Sequence, residues 1–292
     1  MRPIVYVASY PRSGNTFLRA LLANYFSDGD RPLTPREIAF FGAGEKHEPF
    51  WRQATGLDWR ERTIEIEWAA RRDYLAQVRA APGEGPVFLK THTLNGAVFG
   101  APAFAFEPQD RIVYIVRHPL DVLVSGAHFF DIGIEAMAER MLLSGAFNTA
   151  AAGGYFEITG SWTENVGGWV TETRCPVLIV TYEALAFATG VELRRVLDFA
   201  GEAAPRDRAD RAVRAAAFEV LQAGHAEQGF DQGPGRDPRH TFFRAGQPGQ
   251  WRSALPPALA ARMTSELGPF MQTFGYEGGL GEGWNRSPKR ER

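Results

Sequence analysis

The chain has 292 residues, of which 45% are hydrophobic and 23% are charged, and its formal net charge is −2. This composition is ordinary for a globular protein and excludes a chain that binds nucleic acid or anionic membranes through bulk positive charge. The single cysteine, Cys175, excludes a disulfide framework within the chain and a metal site built from cysteines.

The N-terminal unit is predicted to be a strand, a loop and a helix. Residues 4–8 are β-branched, aromatic or small, the loop SYPRSGN follows, and apolar residues then recur at helical spacing from Phe17 to Phe26. A short apolar stretch that runs into a polar loop is not typical of a signal peptide. Since no apolar run reaches about 18 residues, we expect a cytoplasmic protein without a membrane span.

Further strands and helices alternate along the rest of the chain. The charged segment 60–81 predicts a helix, another helix is expected to begin at Pro119, and an amphipathic helix over 190–201 is expected to end at Gly201. Short apolar strands are predicted at 85–92, 110–119 and 175–185. This alternation indicates a parallel sheet that is covered on both faces. We therefore predict an α/β fold with three layers, α/β/α, around a central parallel sheet.

One domain over residues 1–292 accounts for this pattern, because no internal repeat is present. Residues 224–250 are rich in Gly, Pro, Arg and Asp and lack periodicity, which is typical of a surface loop or of a lid or binding loop. Residues 285–292 are predicted to be a frayed tail.

Polar candidate residues follow each strand of the predicted sheet. Ligands of open parallel sheets bind beyond the carboxyl ends of the strands. The candidates are Arg12 to Thr16 after the first strand, Lys90 and His92 at the end of the second, Arg117 after the third and Tyr182 after the fourth. Four strand ends at one edge predict a binding site there.

The loop after the first strand has the features of an anion site. Ser13, Gly14, Asn15 and Thr16 lead into a helix, and the N–H groups at a helix start favour an anion. Arg12 adds a fixed positive charge. An ordinary helix cap by Ser13 or Asn15 is the alternative interpretation. The pattern G-x-x-x-x-G-K-[ST] is absent, and this argues against hydrolysis of a nucleoside triphosphate.

Five short sequences occur in the order of a known family between residues 9 and 251: SYPRSGNTF, LKTH, IVRHPLDVLVS, VTYEAL and FFRAGQPGQW. Together they resemble the cytosolic-type sulfotransferases, which use 3′-phosphoadenosine 5′-phosphosulfate (PAPS) and release 3′,5′-adenosine diphosphate (PAP). The segment GSWTENVGGWV at 160–170 resembles a Trp-containing helix of bacterial members. The resemblance implies a P-loop-like nucleotide-binding fold and a sulfuryl transfer.

The resemblance also implies roles for residues at the first two strand ends. His92 matches the general base, and Lys90 is expected to neutralise charge on the sulfuryl or bridging oxygen. Many members have lysine where this chain has Arg12. The arginine keeps the positive charge of the lysine but cannot donate a proton to the leaving group. The residues expected at the 5′-phosphosulfate and the adenine are Arg12, Ser13, Gly14, Asn15, Thr16 and Phe17.

The 3′-phosphate and the other side of the adenine are expected at later motifs. Tyr182 and Phe218 match positions that contact the adenine. The 3′-phosphate motif maps to Arg117, Ser125, Arg244, Ala245 and Gly246. The family usually has lysine at the position of Ala245, so we expect a weaker grip on the 3′-phosphate or compensation by Arg236 or Arg239. The resemblance makes residues 224–250 a loop that covers the nucleotide.

The expected acceptor is a hydroxyl of a small molecule that is apolar or aromatic. It is expected against two insertions rich in aromatic residues, 28–85 and 129–162. No metal ion is implied, and the oligomeric state is left open. Two alternatives remain. A non-catalytic module that binds PAP or PAPS is supported by Arg12 and Ala245, and a P-loop phosphotransferase is disfavoured by the missing Gly-Lys-Ser/Thr.

Overall fold

Five strands build the central sheet, and each neighbouring pair in it is parallel. This computed structural model describes residues 1–29, 31–39, 41–45, 47–149, 156–228 and 246–276. The strands in these residues are β1 (Ile4–Ser9), β2 (Ala43–Gly44), β3 (Val87–Thr91), β4 (Ala97–Val98), β5 (Ala101–Pro102), β6 (Arg111–Val116), β7 (Phe147–Thr149), β8 (Phe156–Ile158) and β9 (Val177–Thr181). The central sheet has the order β2-β3-β1-β6-β9, while β4-β5 and β7-β8 form antiparallel hairpins.

Helices surround this sheet. The described residues contain α1 (Asn15–Phe26), α2 (Pro35–Ala39), α3 (Glu48–Thr55), α4 (Ile64–Ala69), α5 (Arg71–Ala80), α6 (Pro119–Phe130), α7 (Ile134–Leu142), α8 (Trp162–Val170), α9 (Tyr182–Phe187), α10 (Thr189–Ala200), α11 (Arg206–Ala215), α12 (Phe218–Gln228), α13 (Trp251–Ala254) and α14 (Pro257–Thr273). Gly201 ends α10 in a left-handed conformation, as its position predicts. No helix among these is both long and apolar enough to cross a bilayer.

Alternate residues of the central strands point into two separate hydrophobic clusters, because successive side chains of a strand face opposite sides of the sheet. Tyr6 and Tyr114 lie in the first cluster, together with Trp169 of α8. Val7 and Val113 lie in the second cluster, together with residues of α1, α10 and α11. Every residue of β1 is consequently buried. The predicted α/β/α arrangement around a parallel sheet is confirmed.

Two predicted elements have wrong boundaries. The helix predicted over 60–81 is two helices, α4 and α5, that meet at Ala70, where φ is −85° and ψ is 1°. The strand predicted over 175–185 ends at Thr181, because the Thr181 hydroxyl accepts a hydrogen bond from Ala184 N and caps α9.

Further differences concern one strand of the central sheet and one predicted loop. The short strand β2 was not predicted, because two residues carry no periodic pattern. Residues 224–228, placed by the sequence in an aperiodic loop, continue α12. The predicted tail at 285–292 lies outside the described residues. The placement of 28–85 and 129–162 on the acceptor side stays a prediction.

Candidate functional site

The carboxyl ends of four parallel strands carry the predicted site residues. Arg12 lies in the loop after β1, His92 directly after β3, Arg117 directly after β6 and Tyr182 directly after β9. Direct contacts join three of these positions. Arg117 Nη1 donates to the carbonyl oxygen of Arg12 at 3.2 Å, and the Arg117 guanidinium lies 4.2 Å from the centre of the Tyr182 ring.

The loop after β1 leaves the start of α1 without a side-chain cap. Gly14 occupies the N-cap position, and no side chain accepts a hydrogen bond from the first turn. Asn15 instead donates through Nδ2 to the carbonyl oxygen of Val7 at 2.8 Å, which ties the loop to β1. The capping interpretation of Ser13 or Asn15 is therefore wrong. The first N–H groups of α1 remain available to an anion at this end of the helix.

Two residues of the loop after β1, Gly14 and Arg12, have backbone conformations with positive φ. Gly14 has φ of 105°, and a Cβ atom there would lie 2.6 Å from Tyr182 Cδ2. Arg12 also has a positive φ, 68°, which is uncommon for a residue with a side chain. The loop thus packs directly against the ring that the sequence assigns to the adenine.

Arg12 is held on two sides. Its Nε donates to Ser125 Oγ at 3.2 Å, and its guanidinium lies 4.3 Å from the centre of the Phe129 ring. Both partners belong to α6, which begins directly behind Arg117 and His118. Arg12, Arg117 and Ser125, assigned to two different phosphate groups, therefore meet at the loop between β1 and α1.

Two buried donors of the site have no hydrogen-bond partner among the described residues, namely Ser13 Oγ and Arg117 Nε. Ser13 is 1% exposed and Arg117 is 8% exposed. A buried donor without an acceptor is costly, so native proteins pair nearly all of them. An anionic ligand at this point would supply the missing acceptors, and the residues therefore fit a phosphate or phosphosulfate group.

His92 has a defined tautomer. Its Nδ1 lies 2.8 Å from the carbonyl oxygen of Ser9 and 3.1 Å from Ser9 Oγ. Because a carbonyl oxygen only accepts, Nδ1 carries the proton and Nε2 carries the lone pair. Burial, and next the positive charge of Lys90, lower the pKa of His92 to about 3. The ring is therefore neutral near pH 7, which is the state that a general base needs.

Lys90 forms a largely buried ion pair. Its Nζ lies 2.8 Å from Glu157 Oε1 of the β7–β8 hairpin, and Asn148 Nδ2 donates to Glu157 Oε2 at 3.3 Å. Burial lowers the pKa of Lys90, while the charge of Glu157 opposes that shift. This partner of Lys90 could not be predicted from the sequence, because 67 positions separate the two residues.

The adenine candidates come together around Gly246. Tyr182 Oη donates to the carbonyl oxygen of Gly246 at 2.7 Å, and a Cβ atom on Gly246 would lie 2.5 Å from the Phe218 ring. Phe17, in the first turn of α1, packs on the same hydrophobic cluster as Phe218. Thr16 lies beside it and is half-buried. Other predicted residues lie outside the described chain: Arg236, Arg239, Arg244 and Ala245.

Comparison with known families decides which family the chain belongs to. The model of the sulfotransferase domain matches residues 2–275. The chain belongs to the sulfotransferase domain family. The prediction that it is a sulfotransferase, made from the five short sequences, is confirmed at the level of the family. Its assignment to the bacterial members stays a prediction.

Curated relatives of this sulfotransferase are distant. Sulfotransferase 2A6 of Rattus norvegicus is 24% identical over 254 residues, which cover 86% of this chain and 78% of the relative. Sulfotransferase 1A1 of Canis lupus familiaris is 23% identical over 274 residues, which cover 92% of this chain and 83% of the relative.

Solved structures agree with the fold. Retinol dehydratase in complex with androsterone and the inactive cofactor PAP has a TM-score of 0.60 and 19% identity, covering 93% of this chain and 82% of its own. Mouse sulfotransferase SULT7A1 complexed with PAP has a TM-score of 0.57 and 20% identity, covering 93% of this chain and 84% of its own. These likenesses confirm the predicted P-loop-like α/β fold.

No cluster of three or more His, Cys, Asp or Glu side chains suited to a metal ion occurs in the part of the chain that the structure describes. The expectation that the reaction needs no metal stays a prediction, as does the cytoplasmic location.

Proposed function

We propose that this sulfotransferase transfers the sulfuryl group of PAPS to a hydroxyl of a small-molecule acceptor and releases PAP. The observation that carries the proposal is the pair of buried donors, Ser13 Oγ and Arg117 Nε, beside an uncapped helix start. Relatives of the same fold that hold PAP support the choice of nucleotide. PAPS, once bound, supplies an activated sulfuryl group on its 5′-phosphate.

The 5′ end of the nucleotide fits the loop between β1 and α1. Backbone N–H groups from Gly14 to Thr16, with the Ser13 hydroxyl, would donate to the 5′-phosphate. Arg12 would stabilise the charge that grows on the leaving group as the sulfuryl group departs. Since an arginine keeps its proton, the leaving PAP receives charge stabilisation and no proton from this residue.

His92 is proposed as the general base. Its Nε2 lone pair would accept the acceptor's hydroxyl proton as the new sulfur–oxygen bond forms, and Ser9 holds the ring through Nδ1. A base with a pKa near 3 is weak, so it must gain basicity when the substrates bind. The anionic sulfuryl group would supply this gain, because a nearby negative charge raises the pKa of a histidine.

Lys90 is proposed to lie close enough to balance the charge of the transferred group. Its ammonium is already shared with Glu157, so the sulfuryl oxygens would compete with a carboxylate for it. Burial of this pair strengthens the interactions that it makes, because screening by water is weaker there. The 3′-phosphate would contact Arg117, Ser125 and Gly246, and the acceptor would lie on the side of the β7–β8 hairpin.

Calorimetry with PAP in the absence of metal, followed by a transfer assay with PAPS and a panel of phenols and alcohols, tests this function. We expect PAP to bind and at least one acceptor to become sulfated. Binding of PAP without transfer to any acceptor would favour a non-catalytic module. Stabilisation by ATP–Mg²⁺ and not by PAP would favour a phosphotransferase.

A further inference from the structure

Asp121 is a buried carboxylate, 1% exposed, whose two oxygens both hold a segment distant in sequence. Oδ2 accepts a hydrogen bond from Gly249 N at 2.6 Å, and Oδ1 accepts one from Trp251 N at 3.1 Å. Asp121 lies in the first turn of α6, where the N–H groups of the helix favour a negative charge.

The segment that Asp121 holds begins at a predicted nucleotide contact. Residues 246–251 run from Gly246, whose carbonyl oxygen accepts from Tyr182 Oη, to Trp251, whose ring stacks on His118 with centres 5.2 Å apart. One end of this turn is therefore pinned to α9 and the other end to α6. Gly246, with φ of 65°, fits between the Tyr182 hydroxyl and the Phe218 ring.

Helix α6 also contacts the β1–α1 loop through Ser125, one turn beyond Asp121. Ser125 follows Asp121 by four positions, so the two side chains lie on one face of α6. Ser125 Oγ accepts from Arg12 Nε, while Asp121 accepts from Gly249 and Trp251. Helix α6 thus connects the β1–α1 loop to the turn at 246–251 through two side chains one turn apart.

We propose that Asp121 is a positioning residue for the 3′-phosphate of the nucleotide. By fixing Gly249 and Trp251 it holds the turn so that the backbone N–H of Gly246 is presented to the 3′-phosphate beside Ser125. Asp121 itself does not contact the nucleotide. The inference rests on the proposed function, because it requires that PAP or PAPS is the nucleotide.

A role through charge and a role through positioning predict opposite effects of Asp121→Asn on PAP binding. Asp121 and a 3′-phosphate are both negative, so an account based on charge alone predicts that Asp121→Asn tightens PAP binding. Positioning predicts weaker binding. The amide of asparagine has one oxygen to accept one N–H, and its NH₂ group would face the other backbone N–H. One end of the turn would then be released, and the Gly246 N–H would lose its fixed place.

Calorimetric titration of the full chain with PAP and with 5′-AMP, which lacks the 3′-phosphate, tests the proposal. We expect Asp121→Asn to lower the affinity for PAP about tenfold or more, or about 1.4 kcal/mol or more, and to change the affinity for 5′-AMP less than about twofold, because only the 3′-phosphate meets the turn. A merely structural loss would lower both affinities together.

Asp73→Asn is the matched control, since Asp73 is an exposed carboxylate on α5 and its replacement removes the same charge. The ratio of the two affinities should stay at the wild-type value in this variant. An unchanged ratio, or tighter PAP binding, in Asp121→Asn would overturn the inference. Wild-type protein that does not prefer PAP over 5′-AMP would instead contradict the proposed function.

Hydrogen exchange of the wild-type protein gives a test that needs no variant to fold. The amides of Gly246, Gly249 and Trp251 should exchange more slowly with PAP than with 5′-AMP at equal saturation, because only PAP engages the turn. Equal exchange with the two nucleotides would contradict the proposed role of the turn.

Discussion

Gly14→Ala probes the contact between the β1–α1 loop and Tyr182. The new methyl group would lie 2.6 Å from Tyr182 Cδ2, a distance at which one of the two must move. Alanine at φ of 105° also costs about 1–2 kcal/mol in backbone strain. If the Tyr182 ring moves, its hydrogen bond to Gly246, about 0.5–1.5 kcal/mol, and its contact with the Arg117 guanidinium, about 0.5–2 kcal/mol, are lost as well.

These contributions together lower the free energy of unfolding by roughly 2–5.5 kcal/mol. Only the upper end of this range reaches the least stable of typical domains, whose free energy of unfolding is about 5–15 kcal/mol, so we expect the variant to fold. Displacement of Tyr182 also disturbs the expected adenine site, and we expect the affinity for PAP to fall about tenfold or more. Urea denaturation and calorimetry with PAP measure the two effects on one preparation.

Gly56→Ala is the control for backbone strain alone. Gly56 has φ of 72°, and no atom lies within 4 Å of a Cβ built there. We expect this variant to lose only about 1–2 kcal/mol of stability and to bind PAP as the wild type does. Equal stability and equal PAP affinity in Gly14→Ala and Gly56→Ala would refute the reasoning, because the contact with Tyr182 would then have no energetic consequence.

Three further predictions concern charge and protonation. Because the pKa of His92 is lowered to about 3 from 6.5, its NMR signal should not titrate between pH 8 and 5, and a midpoint near 6.5 would contradict the assignment. The unfolded chain takes up this proton near pH 6.5, so the free energy of unfolding should fall as the pH drops from 6.5 toward 3. Glu157→Gln should lower kcat and shift the alkaline limb of the pH profile of kcat to lower pH, because the carboxylate that raises the pKa of Lys90 is lost. The control Glu139→Gln removes a carboxylate from an exposed ion pair and should change neither kcat nor its pH profile. Arg12→Lys should raise the rate of transfer by supplying a proton donor, and an equal or lower rate would show that charge alone suffices.

Short-range patterns predicted most of the central sheet and the edge of that sheet at which the candidate site residues lie. The apolar runs of β1 and β6 are continuous because helices cover both faces, and such runs are legible in a sequence. The loop after β1, Arg117 and Tyr182 were found because each follows a strand directly. Errors arose where a side chain, not a pattern, ends an element, as Thr181 does by capping α9.

Contacts between distant segments could not be predicted. Glu157 is one acidic residue among many until the hairpin brings it to Lys90. Asp121 looks like a helix-start carboxylate, and only the folded chain brings Gly249 and Trp251 to it. Such pairs depend on the relative placement of elements, which periodicity does not encode. Glu157 and Asp121 supplement the site residues that the motifs identified.

The most direct test of the central claim is turnover by His92→Ala, measured with PAPS and an acceptor of the wild-type enzyme, together with PAP binding by the same preparation. Loss of a general base should lower kcat by about 10²–10⁴-fold. The affinity for PAP should stay within about twofold, because the side chain of His92 hydrogen-bonds to Ser9 of β1 and not to residues 12–16. Sulfuryl transfer at the wild-type rate by a variant that binds PAP normally would contradict the account.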